Sequence, residues 1–150
     1  MKKYYKIFIL PAIIIIIAGF FSGFSTQSCS QIAENLLKER TKILQQAYYG
    51  RIEIDQAEKY LSRIETYPLL SEDIGNLRDA DPTELDMVQS MDFIDINQES
   101  KSFHYVTLNM KIRWHMSGLE SNYACDNQYL VILNSTNSGY KLSEFNPKQE

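Results

Sequence analysis

Residues 106–116 read VTLNMKIRWHM, the clearest strand pattern in the sequence. Apolar side chains occupy every second position from Val106 to Met116, and the positions between them are polar or charged. Because successive side chains of a β-strand point to opposite faces, the alternation predicts a strand with one face buried and the other in water. The run is long for a strand, which suggests that it bends.

Three further runs predict strands around this one. The first begins at Met87 and ends at a polar loop over residues 97–100. The second extends from Asn122 to Leu133, with apolar and aromatic side chains on one face. After a polar turn, a short final strand contains Tyr140 and Leu142. Short connections between consecutive strands favour an antiparallel meander.

Before residue 85 the apolar residues recur at the three- and four-residue spacing of a helix. Ser30 is the predicted cap of a first helix that runs to about Tyr48. Asp55 opens a capping box that begins a second helix, and Pro68 prevents its extension. Ser71 is the predicted cap of a short third helix. The sequence therefore predicts an α+β domain, with about three helices packed on a curved antiparallel sheet of about four strands.

The segment around the first helix end resembles a known superfamily. Residues 46–61 read QAYYGRIEIDQAEKYL, and this text, with the order of the elements, resembles the nuclear transport factor two-like (cystatin-like cone) superfamily. The resemblance covers about residues 30–145 and implies long bent strands that wrap the helices. A single membrane span ahead of such a domain is similar to the assembly factors of conjugative type IV secretion machines.

The N-terminal segment predicts a membrane anchor. Lys2, Lys3 and Lys6 precede an uncharged run over residues 7–24, which would span about 27 Å as a helix. The positive-inside rule then places residues 1–6 in the cytoplasm and residues 25–150 outside it, as a single-pass protein of the cell membrane. A cleaved secretory signal is the alternative, although the region after the run lacks a clean Ala-x-Ala site.

Composition limits the classes of partner. The chain has 44% hydrophobic and 23% charged residues, the usual mixture of a globular domain. Outside the first 24 residues it holds 12 basic groups and all 19 acids, a formal net charge of −7. An acidic body repels a polyphosphate, so nucleic acid is not an expected partner.

The residues that carry chemistry are few. No phosphate loop, Cys-x-x-Cys pair, His-Glu-x-x-His or Gly-x-Ser-x-Gly motif occurs, so no cofactor and no metal site is expected. In enzymes of the resembled fold a His and an Asp act as acid and base at the pocket rim, and His104 and Asp126 are the residues here that the resemblance points to. We nevertheless expect His104 to be an ordinary residue at a strand entrance. The acids near the third helix miss the calcium-loop spacing, and Cys29 and Cys125 are expected to stay unpaired.

Three functions remain open at this point. The first is an extracytoplasmic domain that contacts a protein partner or a second copy of itself, in a surface or conjugative assembly. The second is a small-molecule binder or weak enzyme with a hydrophobic pocket. The third is a cleaved, secreted protein. A wide apolar pocket with a His and an acid inside it would favour the second function, and a filled core with exposed apolar sheet surface would favour the first.

Overall fold

The computed structural model describes residues 27–80 and 86–148. Three helices come first and four strands follow, which confirms the predicted α+β class and the predicted number of elements. The helices are α1 (Cys29–Tyr48), α2 (Ile54–Ile64) and α3 (Leu69–Asp79). The strands are β1 (Met87–Lys101), β2 (Tyr105–Ser117), β3 (Asn122–Thr136) and β4 (Gly139–Pro147).

The four strands form one antiparallel sheet in the order β1-β2-β3-β4, so β1 and β4 are its edges. The alternating face of β2 is buried as the sequence predicts: Val106, Leu108 and Ile112 have no exposed surface. Their partners across β3 continue the same face, since Leu108 lies opposite Val131 and Val106 opposite Leu133. The helices cover this inner face, and the outer face of the described sheet carries mainly polar and charged side chains.

The core consists of two clusters of buried apolar side chains. One lies between α1 and the sheet and includes Leu37, Met110 and Leu142. The other lies among the three helices and includes Leu61 and Leu77. Side chains thus fill the space between the helices and the middle of the sheet.

Helix α1 runs antiparallel to β1. Gln45, near the end of the helix, contacts Val88 at the beginning of the strand. One turn earlier Thr41 donates to the Met91 sulfur, and the Lys38 ammonium lies 5.3 Å from the centre of the Phe93 ring. The beginning of α1 therefore points toward the turn that joins β1 to β2.

The predicted helix starts were wrong by a few residues. Ser28, not Ser30, caps α1, and its hydroxyl accepts from the Gln31 backbone N–H while the Gln31 side chain accepts from the Ser28 N–H. Helix α2 begins at Ile54 without a side-chain cap, and α3 begins at Leu69, directly after Pro68. Ser28 and Ser30 fit the same cap pattern, so the sequence did not distinguish them. Helices α2 and α3 begin without the side-chain caps from which their starts were predicted.

The strands are longer than the sequence predicts. β1 continues through the polar residues 97–101, because they pair with β2 up to Lys101 and Val106, with one bulge between Gln98 and Ser100. A bulge between Phe93 and Asp95 resets the alternation of β1, so that Ile96 joins the core face while Asp95 stays exposed. Strand β3 reaches Thr136 and β4 continues to Pro147, which reduces the predicted turn over residues 134–139 to two residues.

The predicted cytoplasmic tail (residues 1–6) and the predicted anchor (residues 7–24) lie outside the described residues. Within the described ranges, none of the helices has the length and apolar character needed to cross a membrane.

Candidate functional site

A groove runs between the C-terminal half of α1 and the first residues of β1, with a cavity volume of about 470 Å³. Its apolar floor comes from Met87, Val88 and Met91, at the beginning of an edge strand. Its polar walls come mainly from one face of α1, where residues recur three or four positions apart: Lys38, Thr41, Lys42, Gln45, Gln46 and Tyr49. Arg51, just after the helix, closes one end.

The charge of the groove differs from the charge of the domain. Lys38, Lys42 and Arg51 line it, and no acidic residue of the described part of the chain does. Lys38 pairs with Glu34 one turn away at 3.8 Å, whereas Lys42 and Arg51 are exposed and form no ion pair with any described residue. Two unneutralised cations beside an apolar floor, on an otherwise acidic body, make this groove a local site for negative charge.

The side chain of Gln45 binds the free edge of β1 as the backbone of a neighbouring strand would. Its side-chain Oε1 accepts from the Val88 N–H at 2.8 Å, and its Nε2 donates to the Val88 carbonyl at 3.2 Å. A side-chain amide thus makes both hydrogen bonds that a residue of a neighbouring strand would make. After Val88 the strand continues to Lys101, with β2 as its only strand neighbour among the described residues.

A second polar cluster lies deep between the helices and β4. Arg40 of α1 binds Asp73 of α3 through two parallel hydrogen bonds, of 2.7 Å from Nε and 2.6 Å from Nη2. Arg40 Nε also lies 3.2 Å from Glu65 Oε1, at the end of α2. The N–H itself points to Asp73, so no hydrogen bond from the described residues reaches the Glu65 oxygens in the ionised form. The Arg40 guanidinium lies 5.1 Å from the centre of the Phe145 ring.

The protonation state of Glu65 follows from its surroundings. Its side chain has no exposed surface. Burial, followed by the nearby Asp73 carboxylate, raises the pKa of Glu65 to about 8, although Arg40 opposes the shift. A proton on Glu65 gives that carboxyl a donor for Asp73, which lies within hydrogen-bonding reach. The cluster is enclosed from solvent, so a substrate has no access to it. Its contacts connect the three helices, which is a structural role.

His104 and Asp126 lie far apart. His104 is exposed in the turn before β2, where its carbonyl accepts from the Ser135 N–H at 2.7 Å. Asp126 lies opposite Arg113 on the outer face of the sheet. Nine residues of β3 separate Ser135 from Asp126, about 30 Å in an extended strand. The geometry therefore does not support an acid–base pair, and the expectation that His104 is not catalytic stays a prediction.

Asp126 belongs instead to a charged ladder on the outer face. Arg113 donates to both of its oxygens, at 2.7 and 3.0 Å, and Lys111 lies at 3.6 Å. These hydrogen bonds and charges lower the pKa of the Asp126 carboxyl below its ordinary value. His115 has its own partner, because its Nε2 lies 2.7 Å from Asp92. His104 and His115 thus have separate contacts and do not belong to one site.

The structure also shows where the two cysteines and an acid near the third helix lie. Cys29 and Cys125 are half-buried free thiols at different ends of the sheet. Among the described residues, no group of His, Cys, Asp and Glu side chains is arranged to hold a metal ion. One of the acids near the third helix, Asp73, is buried and bound to Arg40.

A scan against models of protein families finds no match to this sequence. A search of curated proteins finds no significant relative.

Proposed function

We propose that the protein is anchored in the cell membrane by residues 7–24 and that its extracytoplasmic domain binds a protein partner in the groove between α1 and β1. The anchor half rests on the basic tail and the uncharged run of the sequence. The architecture, one span ahead of a small α+β domain, supports a place in a surface or conjugative assembly. The proposal includes kinship with the cone-fold superfamily, which rests on the local sequence around residues 46–61.

One observation carries the binding half: Gln45 satisfies the backbone of Val88 from the free side of β1. An extended segment that lies along β1 after this point would continue the same pattern of hydrogen bonds, which is β-strand addition. Met91 offers an adaptable apolar contact to a side chain of such a segment.

The positive charges of the groove determine which kind of extended peptide fits it. Lys42 and Arg51 lack ionic partners in the described part of the chain and face the groove from α1 and the loop after it. They would attract carboxylates that lie on one side of the bound strand. The partner that fits is therefore an extended peptide in which acidic and apolar residues alternate.

The filled core disfavours the small-molecule alternative. The inner sheet face at Leu108, Ile112 and Val131 is completely covered. His104 is exposed in a turn and Asp126 lies on the outer face, so neither contributes to the space under the helices.

A peptide titration tests the binding half with the detergent-solubilised full chain. The probe is a labelled Glu-Val-Glu-Val-Glu-Val peptide, and its partner probe has Lys in place of Glu. We expect only the acidic peptide to bind, with an affinity that falls as salt rises. The double variant K42E/R51E should weaken binding at least about tenfold, because two attractions become repulsions.

Two controls make the titration specific. K59E/R63E changes the charge of exposed α2 residues by the same amount and should leave the affinity within about twofold. An acidic peptide with alternate backbone nitrogens methylated should not bind, because it lacks the donors for strand addition. Equal binding of the acidic and basic peptides, or full binding to K42E/R51E, would contradict the proposal.

A further inference from the structure

The turn that joins β1 to β2 presents an aromatic ring to solvent. Phe103 is 96% exposed, and Tyr105, two residues later, is 45% exposed. A single exposed apolar side chain is ordinary on a protein surface. Leu119, in the β2–β3 turn, is equally exposed, at 95%. What distinguishes Phe103 is its position relative to the N-terminus of α1.

The hairpin tip (residues 101–105) holds its shape through its own hydrogen bonds. Ser102 Oγ accepts from the backbone N–H groups of His104 and Tyr105, at 3.2 and 3.1 Å. The Ser102 N–H donates to the Tyr105 carbonyl at 2.8 Å, and the His104 carbonyl accepts from Ser135 of β3. The Phe103 ring is therefore presented by an ordered turn, so little conformational entropy is lost when the ring enters another medium.

The tip lies beyond the beginning of α1. Lys38 and Phe93 lie side by side. From that level, ten helical residues back to Ser28 cover about 15 Å. Strand β1 has two bulges between Phe93 and Lys101, so this part of it runs beside only six residues of β2, about 20 Å, and two further residues reach Phe103, at most about 7 Å. Because α1 runs antiparallel to β1, the beginning of α1 and the tip lie toward the same end of the sheet. The tip thus extends as much as about 12 Å past Ser28.

The length of chain between the apolar run and α1 limits how far the domain can stand from the membrane. The run stops at Phe24, four residues before Ser28, and four extended residues reach at most about 14 Å. If residues 7–24 cross the bilayer, Ser28 lies within about 14 Å of the membrane surface, and the tip, up to about 12 Å past Ser28, reaches the surface over most of that range.

The chemistry of the tip fits a lipid interface. Aromatic residues are enriched at the level of the lipid headgroups, where their rings enter the apolar boundary and polar groups stay hydrated. Lys101 at the base of the tip suits anionic headgroups, and residues 101–105 include no acid. The nearest acid before the tip, Glu99, already has Asn109 and Lys148 as partners.

We propose that the β1–β2 tip docks on the bilayer, with the Phe103 ring in the lipid interface, so that the domain is held at the membrane by its anchor and by this second contact. The inference rests on the membrane half of the proposed function. It places the groove near Val88, at the opposite end of β1, away from the bilayer and open to a partner.

Tryptophan fluorescence of the full chain in phosphatidylcholine vesicles tests the contact. Trp114 is the single tryptophan, so W114F provides a silent background. In that background, F103W reports the tip and L119W reports an equally exposed position at the opposite end of β2. We expect brominated phosphatidylcholine to quench F103W at least about threefold more strongly than L119W, with a blue-shifted emission for F103W only.

Flotation of the same samples separates the two proposals. A chain that floats with the vesicles but shows equal or no quenching at F103W would overturn the lipid contact and leave the anchor intact. A chain that does not float would overturn both. The comparison does not depend on which side of the vesicle the domain occupies, because the proposed contact puts the tip against the bilayer surface on either side.

Discussion

At the scale of single residues, Glu65 is the most informative position. It lies at the end of α2, fully enclosed, between Arg40 and Asp73. The contact between Arg40 and Asp73 could not be predicted from the sequence, since 33 positions separate the two residues and the acids of that region resemble a solvated turn. Pairing of buried charges across helices depends on tertiary packing, which residue spacing along one helix does not encode.

The raised pKa of Glu65 predicts how stability depends on pH. The folded chain retains a proton at Glu65 up to about pH 8, whereas the unfolded chain loses it near 4.5. The folded state therefore binds more protons between these values, and the free energy of unfolding falls as pH rises through that window. E65Q mimics the protonated group and should flatten this fall, whose size we expect to be on the order of a few kcal/mol.

Urea denaturation of the solubilised chain at pH 5, 6.5 and 8 measures the effect. E65Q should gain stability relative to the natural chain as pH rises, and E120Q, a change in the exposed β2–β3 turn, should follow the natural chain. An unchanged pH slope in E65Q would show that Glu65 is ionised in the fold.

At the scale of elements, the alternation of β2 was sufficient to predict its buried face. L108A removes a fully enclosed side chain and should lower the free energy of unfolding by about 2–5 kcal/mol. R113A, on the outer face of the same strand, breaks an exposed ion pair and should cost less than about 1 kcal/mol. Thermal or urea melts of both variants check this, and similar losses from both would mean that the buried face is not the one described.

The elements that escaped prediction did so for identifiable reasons. The polar end of β1 is a strand because β2 pairs with it, not because its own side chains alternate. The bulge after Phe93 moves Ile96 to the inner face, and a strict two-residue period cannot anticipate the extra residue. The groove could not be predicted, because the helical period of α1 alone does not show which side of the helix faces the edge of β1.

At the scale of the whole molecule, the two ends of the sheet have different proposed roles. The β1–β2 tip and the beginning of α1 lie at the end nearest the predicted anchor, and the basic groove lies at the other end. The outer face between them carries paired charges, such as Arg113 with Asp126, whereas Lys42 and Arg51 in the groove have no ionic partners among the described residues. Unpaired cations beside a free strand edge make the groove the best-supported binding surface.

Photo-crosslinking in intact membranes tests whether a partner binds in the groove. A benzoylphenylalanine at Gln89, which lines the groove, should form a discrete adduct, and the same group at Gln128 on the outer face should not. The Gln89 adduct should disappear when K42E/R51E is introduced and persist with K59E/R63E at equal expression. An adduct of twice the chain mass would identify a second copy as the partner in the groove. No adduct at Gln89, an equally strong adduct at Gln128, or an adduct that survives K42E/R51E would contradict binding in the groove.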